Sequence, residues 1–321
     1  MRNPPMPPMQ IIRLRAYAGP NILGPVAGVW LLVHCDQDRS TELRGAIKDA
    51  AQAIGLVLAR LEVDARPLEQ GAALVSVLFS CEVPTVGAAL CEYVVACATA
   101  KANADATWDR EAPLAKLQRQ RRSASLPMAA VQLMAEALQR GLPSFVSSSG
   151  HLQLGYGARG WQCDLAELGE AQSPPTPPWE HLGSVPLVLV TGAHERTAAV
   201  QRLAADTAAL GVRVHTMADA SFALAREALA DPQAEALVLG LETNDILRYG
   251  LPCDRCDLAV ITDRAGPRPD EATDDDEWVR ALGIPMLLSA QPVRLKLSDA
   301  RLLPLVPYAP NGVVDWPSHR T

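Results

Sequence analysis

Hydrophobic and polar positions in the first hundred residues predict a small α+β unit. Ile11–Tyr17 and Val29–Cys35 are apolar runs on either side of a segment rich in Gly, Pro and Asn, which predicts two strands joined by a turn. Apolar residues then recur at spacings of three and four, which predicts a helix over Thr41–Arg60. A strand over Ala73–Cys81 and a helix over Val86–Ala100, rich in small residues, complete the unit.

The middle of the chain has a weaker pattern. Pro113, the short basic cluster Arg119–Arg122 and Pro127 are typical of a linker, and they precede a predicted helix over Ala129–Arg140. A strand pair with glycine turns is predicted within Leu142–Gly157. The next segment, AQSPPTPPWEHLG, has prolines among Ser and Thr and predicts a semi-rigid hinge.

Apolar runs alternate with helical periods in the rest of the chain. The predicted strands are Leu187–Val190, Val212–Thr216, Ala236–Leu241, Leu258–Thr262 and Pro285–Ser289, and the predicted helices are Thr197–Leu210 and Ser221–Ala230. This alternation is typical of a parallel sheet with helices on both faces. We therefore predict an α/β protein with an N-terminal α+β domain over 1–112, a linker and hinge over 113–182, and an α/β domain over 183–321.

Residues Val185–Thr197, VPLVLVTGAHERT, have the outline of a phosphate-binding loop, because an apolar strand leads through a glycine turn into a helix. In parallel sheets, ligands bind at the carboxyl ends of the strands, so a nucleotide would bind at this turn. However, Glu195 stands where a second glycine is needed, and Arg196 stands where a lysine is needed. A carboxylate directed at a triphosphate repels it, so the sequence leaves open whether the protein is an enzyme.

Composition excludes several classes of function. The formal charge of −7 and a pI near 5.4 argue against a nucleic-acid surface, which is normally basic. Hydrophobic residues make up 49% and charged residues 20%, as in soluble globular proteins. The seven cysteines are scattered and odd in number, which favours a reducing cytoplasm. We expect a cytoplasmic protein, because the opening MRNPPMPPMQ lacks the apolar run of a signal peptide and no apolar segment is long enough to span a membrane.

Several segments together resemble cyanophycin synthetase, a member of the Mur ligase family. RLRAYAGPNI is similar to the start of that enzyme's N-terminal domain, and HLQLGYG is similar to L-V-Q-L-G-Y-G at the entry of its ATP-grasp domain. VPLVLVTGAHERTAAV resembles the Mur-type T-G-T-N-G-K-T-T-T loop, and LETNDILRYGLPCDRCDLAVITD resembles L-E-T-A-R-G-G-I-L-R-x-G-L-G-x-D-R-C-D-V-A-V-V-T-N. The resemblance implies a Mur ligase central-domain-like fold and an ATP-dependent ligase as ancestor.

The departures from that pattern concern the residues that carry chemistry. Fewer than thirty residues, between Gly157 and Val185, stand where the family has the body of its ATP-grasp domain. In the loop, Thr191, Gly192 and Thr197 match, whereas Arg196 replaces the lysine. The replacements outside these matches are His194 for asparagine, Glu195 for glycine, and Ala198 and Ala199 for threonines.

The second half of the motif is also altered. Glu242 matches the family's magnesium-associated glutamate, but Asp263 replaces the asparagine of the T-N turn. The segment that supplies a histidine near the metal is replaced by RAGPRPDEATDDDEW, and no histidine follows until His319. The family's C-terminal ligase domain has no counterpart in this sequence.

Three further features have ordinary explanations. The pair Cys253-x-x-Cys256 has metal-ligand spacing but no second pair nearby, so structural thiols are favoured over a zinc site. The acidic run Asp270–Glu277 is typical of a solvated loop. His194 and Glu195 have the chemistry of an acid/base pair, but no nucleophile or electrophile accompanies them.

Our sequence-based interpretation is a non-catalytic relative of cyanophycin synthetase that acts as an accessory or scaffold subunit of a ligase or cofactor-biosynthesis complex. Its vestigial nucleotide loop comprises Thr191, Gly192, Arg196, Thr197 and Glu242. We expect no catalytic residue, cofactor or metal, a homo-oligomer or a hetero-oligomer with another protein, and no binding to nucleic acid or membrane. Two alternatives stay open: an ATP-dependent carboxylate–amine ligase in which Arg196 replaces lysine and Thr197 and Glu242 hold Mg²⁺, and a peptide or small-ligand binding module.

Overall fold

The computed structural model describes residues 8–170 and 175–317, which form two compact units. The first unit contains the chain up to Ala18 together with Val26–Ser125, and the second contains Gly19–Pro25 and the chain from Leu126 onward. The first four residues of the predicted hinge, 171–174, lie outside the described residues, as does His319.

The first unit is an antiparallel sheet of four strands with three helices. Its strands are β1 (Met9–Tyr17), β2 (Gly28–Cys35), β3 (Arg60–Pro67) and β4 (Ala73–Ser80), in the order β1-β2-β4-β3, and its helices are α1 (Ser40–Ile54), α2 (Pro84–Ala102) and α3 (Glu111–Ser123). Alternate residues of the two central strands, such as Leu31 and Val77, are buried against α1 and α2. The predicted α+β architecture is confirmed.

The predicted helix over Thr41–Arg60 is too long. Helix α1 ends at Ile54, because Gly55 adopts the left-handed conformation (φ 71°) and its N–H bonds to the carbonyl oxygen of Gln52. The chain then turns into β3, a strand that the hydrophobic pattern did not indicate, since only Val63 among its residues is buried.

Helix α2 is the one described helix that is long and apolar enough, by length and composition alone, to cross a membrane. Leu90 and Cys91 on this helix are fully buried in the core of the first unit. The core of a folded domain therefore accounts for its apolar composition.

The predicted linker over 113–182 does not coincide with the observed division of the chain. Helix α3, which contains the basic cluster, belongs to the first unit because Leu117 is buried in that core. The second unit begins with α4 (Met128–Gln139) and a three-stranded antiparallel sheet, whose strands are β5 (Ser144–Val146), β6 (His151–Leu154) and β7 (Trp161–Asp164). A short helix, α5 (Leu165–Glu170), follows, and these elements share a core that includes Leu133, Leu152 and Leu168.

The rest of the second unit is a six-stranded parallel sheet with helices on both faces, as predicted. Its strands are β8 (Leu187–Thr191), β9 (Val214–Ala220), β10 (Ala236–Leu241), β11 (Leu258–Ile261), β12 (Val293–Leu295) and β13 (Val313–Asp315), in the order β13-β12-β11-β8-β10-β9. Helix α6 (Arg196–Ala208) packs on one face, and α7 (Phe222–Leu229), α8 (Thr243–Tyr249) and α9 (Asp275–Gly283) pack on the other.

One prediction for the last third of the chain is wrong, and two short strands there were not predicted. Ile284–Leu288 is a 3₁₀ helix rather than a strand, with Pro285 in its first turn, where a missing N–H has no cost. The strands that do form there, β12 and β13, have three residues each, too few to show a period.

The solvated loop predicted for Asp270–Glu277 is only partly observed. Asp274 caps helix α9 by accepting the N–H of Glu277 at 2.7 Å, and Glu277 accepts the N–H of Thr273. Residues 270–274 form a loop in which Asp270 and Asp274 are exposed, whereas residues 275–277 begin α9 and Glu277 is 2% exposed.

Candidate functional site

The loop between β8 and α6 lies where three strands of the parallel sheet end. Thr191 is the last residue of β8, Glu242 follows β10, and Asp263 lies two residues after β11. Strands β10 and β11 are the two neighbours of β8 in the sheet, so their carboxyl ends meet at the loop. This is the position at which open parallel sheets bind their ligands.

Gly192 gives the loop its sharp turn. Its φ of +140° is strained for other residues, and a Cβ at this position would lie 2.0 Å from the Thr262 hydroxyl oxygen. The preceding Thr191 hydroxyl donates to the carbonyl oxygen of Leu282 at 2.7 Å and is fully buried. Thr191 therefore ties β8 to α9, while Gly192 brings the loop against the end of β11.

The backbone N–H groups of the loop donate to the Asp263 carboxylate. Ala193 and Glu195 donate to Oδ1 at 3.2 and 3.0 Å, and His194 donates to Oδ2 at 3.1 Å. Asp263 itself is 4% exposed. Three successive N–H groups at the start of a helix are the donors that a phosphate-binding loop offers to phosphate oxygens.

Two more donors complete the surroundings of this carboxylate. The Ala265 N–H lies 3.2 Å from Oδ2, and the Thr262 hydroxyl lies 2.9 Å from Oδ1. Burial alone raises the pKa of Asp263, but the hydrogen bonds from Glu195, Thr262 and the other loop N–H groups hold that pKa below its usual value. Asp263 is therefore a buried anion held by the loop.

Glu195 forms an ion pair with Lys296, so its negative charge is not left unpaired in the loop. Lys296 follows β12, and its side chain is 15% exposed, against 41% for Glu195. The carboxylate that replaces a glycine of the family's loop is thus neutralised by a cation from the same sheet.

Arg196 makes contacts to the ends of neighbouring strands. One guanidinium nitrogen, Nη1, donates to the Leu241 carbonyl oxygen at 3.0 Å, and Nη2 pairs with Asp219 at the end of β9. The Arg196 side chain is 13% exposed. Arg196 therefore ties the start of α6 to the ends of β9 and β10.

Thr197 and Glu242, two further residues of the predicted nucleotide loop, make no contact with Asp263, Glu195 or Arg196 among the hydrogen bonds described above. Thr197 is exposed in the first turn of α6, and Glu242 is half-buried as the residue before α8. The two residues that stand for the family's A-R-G-G have structural contacts: Asp245 accepts the Phe222 N–H at 2.7 Å, and Asn244 accepts the Glu271 N–H at 3.4 Å.

No metal centre is formed by the part of the chain that the structure describes, since it contains no group of three or more His, Cys, Asp or Glu side chains suited to one. Cys253 and Cys256 are buried, and burial raises the pKa of the Cys253 thiol to about 12. The exposed His194 lies against Gly266, so it faces a loop backbone.

The five predicted site residues therefore fall into two groups. Gly192 and Arg196 help to form the loop region, whereas Thr191, Thr197 and Glu242 are turned to other surroundings or left at the surface. Sequence reasoning noted Asp263 as a replacement but missed that it fills the loop, and it missed Lys296 and Asp219 altogether. The one usable signal in the sequence was Asp263 itself, a carboxylate at a position where the family has the neutral amide of asparagine.

The residues present do not fit the phosphates of ATP. The three N–H groups that would hold a phosphate already donate hydrogen bonds to the Asp263 carboxylate. Arg196, which stands where the family has a lysine, contacts the Leu241 carbonyl group and Asp219. An incoming phosphate would also meet the buried negative charge of Asp263.

Comparison with known proteins gives a family and a weak structural likeness. Residues 8–316 match the family described as Domain of unknown function (DUF4938). No curated protein sequence is significantly similar. A solved structure titled "Structure of UDP-N-acetylmuramoyl-L-alanyl-D-glutamate--2, 6-diaminopimelate ligase" resembles 41% of this chain with a TM-score of 0.34 and 14% identity. The match covers 31% of that ligase, so this chain spans under a third of its length.

Proposed function

Because the chain belongs to the DUF4938 family, we propose its function from the residues of its own loop: it is a non-catalytic, Mur ligase-like protein, derived from a cyanophycin synthetase-like ancestor. In this proposal the protein has lost nucleotide binding and acts in the cytoplasm as an accessory or scaffold subunit. The observation that carries the proposal is the donation of three loop N–H groups to Asp263.

The physical argument is competition at close range. An intramolecular carboxylate is present at a high effective concentration, and its three N–H hydrogen bonds must all break before a phosphate can accept them. Hydrogen bonds to charged groups contribute about 1.5–3 kcal/mol each, so a phosphate would have to displace a well-stabilised internal ligand. Amide ligation requires a positioned, metal-clamped ATP, and the three successive N–H groups that begin this loop already donate to Asp263.

Titration of the purified protein with Mg-ATP in a calorimeter tests the loss of nucleotide binding. We expect no saturable heat up to millimolar nucleotide. Micromolar binding that disappears in the Arg196→Ala variant would overturn the proposal and establish the alternative, an ATP-dependent carboxylate–amine ligase that uses Arg196.

The accessory role is tested separately, by association. A tagged chain is purified alone for light scattering and from cell extract for identification of co-purifying proteins, and an unrelated protein with the same tag is the control. Self-association, or a ligase that co-purifies in stoichiometric amount, supports the subunit role. A monomer without a stoichiometric partner counts against it.

A second candidate function, ligand binding by the first unit, is favoured by one observation. A cleft of about 640 Å³ lies between α1 and α2, within the size range of small-molecule sites. Tyr93 and Trp108 line it together with the charged Asp49, Lys101 and Arg110. If this cleft binds peptides or amino acids, tryptophan fluorescence will change on titration with them, and the change will be lost in Trp108→Phe.

A further inference from the structure

The loop between β8 and α6 keeps the local geometry of an anion site although its sequence has lost the phosphate-binding pattern. Gly192 retains a backbone conformation that lets the next three residues direct their N–H groups at one point. Helix α6, with 13 residues, begins there, so the positive end of its dipole adds to the same field. The geometry is that of a loop selected to hold negative charge.

An anion is in fact held at that point, and it is part of the chain. The Asp263 carboxylate lies in the loop with five donors around its two oxygens and is 4% exposed. It reaches the loop from the end of β11, the strand beside β8. Its hydrogen bonds come from the residues that lead into α6, and they show that the loop accepts an oxyanion supplied by another strand.

Two cations lie in the wider surroundings of this carboxylate, each paired with another acidic residue. Lys296 lies at the same end of the sheet, paired with Glu195 of the loop. Arg301 has a raised pKa, chiefly through its hydrogen bond to Asp299 and in part through the charge of Asp263, so it belongs to the same electrostatic environment. Removal of the Asp263 charge would leave the loop N–H groups without their anion, while Lys296 and Arg301 keep Glu195 and Asp299 as partners.

We infer that Asp263 is an internal substitute for an external oxyanion, and that its removal converts the loop into a binding site for a tetrahedral oxyanion of the phosphate class. The inference rests on the proposed loss of nucleotide binding and adds the reason for that loss. The loop keeps its N–H donors, but the Asp263 carboxylate occupies them. Both His194 and Thr197, which flank the loop, are exposed.

Thermal unfolding and calorimetry of Asp263→Ala with inorganic phosphate test the inference. The variant should bind phosphate at least about tenfold more tightly than the wild-type protein, because even one freed hydrogen bond to a charged group is worth that factor. Phosphate should raise its Tm above that in NaCl of equal ionic strength. Asp206→Asn is the matched control, since it removes one negative charge from the exposed far end of α6 and should show no gain.

A second variant and a second probe cover the case in which Asp263→Ala folds poorly. Asp263→Asn preserves the size of the side chain, and refolding of Asp263→Ala in phosphate reports rescue by the missing anion. Formate has the size of the carboxylate that the variant lacks, whereas phosphate is larger and tetrahedral. Comparison of the two anions shows which size the opened site accepts. Stabilisation by formate without stabilisation by phosphate overturns the inference, as does the absence of any anion effect on either variant.

The outcomes for this inference and for the proposed function are separable. Binding of Mg-ATP to the wild-type protein would contradict the proposed function whatever the variants do. Failure of both Asp263 variants to bind phosphate, with a wild-type protein that also binds none, would leave the proposed function standing and remove the internal-substitute explanation. Addition of ATP to Asp263→Ala further shows whether the opened site accepts a nucleotide or free phosphate alone.

Discussion

Lys296 pairs with Glu195, so the residue that most clearly contradicts a phosphate-binding loop is held by a lysine that follows β12. This pair is one of three sets of contacts that hold the loop region. Glu195 has Lys296, Arg196 has Asp219 and the Leu241 carbonyl group, and the loop N–H groups have Asp263. Reversal of one replacement therefore leaves the others in place.

Restoration of the family's loop residues alone should not restore nucleotide binding. In the double variant Glu195→Gly, Arg196→Lys, Asp263 still accepts the loop N–H groups, so we expect no Mg-ATP binding up to millimolar concentration by calorimetry. The informative comparison is the triple variant that also carries Asp263→Asn. Tight binding by the double variant would show that Asp263 does not control the loop.

Gly192→Ala should be severely destabilising. Its Cβ would lie 2.0 Å from the Thr262 hydroxyl oxygen, and relief of that overlap must move β11 or the loop. We expect a loss of more than about 3 kcal/mol in unfolding free energy by denaturant titration. Gly211→Ala is the control: its φ is also positive, +83°, but nothing lies within 4 Å of the added Cβ, so about 1 kcal/mol is expected. Equal losses would refute the close approach.

Arg196→Ala should cost about 2 kcal/mol of unfolding free energy, because a largely buried guanidinium loses hydrogen bonds to the Leu241 carbonyl group and Asp219. Arg202→Ala on the same helix serves as the reference. Its ion pair to Asp206 spans 3.9 Å and its side chain is 40% exposed, so about 0.5 kcal/mol is expected. If chemical denaturation gave the two variants the same stability, the structural role of Arg196 would be disproved.

Acid should weaken the second unit through Asp299. The hydrogen bond from Arg301 lowers the pKa of Asp299 to about 2 against burial, which raises it, and the N–H of Arg264 adds a further hydrogen bond. A depressed pKa stabilises the folded state above the unfolded-state value, 3.8, and this contribution is lost as the pH falls toward about 2.

The variant Asp299→Asn isolates this contribution. At neutral pH it should be about 2 kcal/mol less stable than the wild-type protein, and the difference should shrink between about pH 4 and pH 2. Denaturant titrations at several pH values measure both quantities. A difference that stays constant over this range would exclude titration of Asp299 as the cause.

Thiol reactivity should single out one cysteine. Of the seven cysteines, Cys97 alone is partly exposed, and burial raises the pKa values of the other thiols, including that of Cys81 to about 11. In the native protein at pH 8, a disulfide reagent should modify Cys97 first and the rest only on unfolding. Cys97→Ala should abolish the fast phase. Fast modification of Cys253 or Cys256 instead would contradict their burial.

The sequence predicted the elements whose pattern is local and long enough to repeat. Strand β10 and helix α2 have continuous apolar or small-residue runs, and both form near the predicted bounds. The end of α1 was missed because Gly55 outweighed the continuing apolar period, and β12 was missed because three residues cannot show a period.

The candidate site was harder to predict, because its contacts join residues far apart in sequence. Asp263 meets His194 across 69 positions, and Lys296 meets Glu195 across 101. In the sequence, Glu195 and Asp263 each indicated only that a residue of the Mur-type motif is absent. Their pairing depends on the order of β8, β11 and β12 in the sheet, which no single segment encodes.

A loop that contains its own anion also changes how the protein responds to the cell's energy state. A nucleotide-binding protein gains about 2.7 kcal/mol of stability when its ligand is at a hundred times the dissociation constant, and it loses that gain when the nucleotide is depleted. In the proposed function the stabilising anion is Asp263, which is covalently attached, so we expect the stability of the folded protein to be the same at any ATP concentration. A fall in ATP that destabilises an active ligase should leave the stability of this protein unchanged.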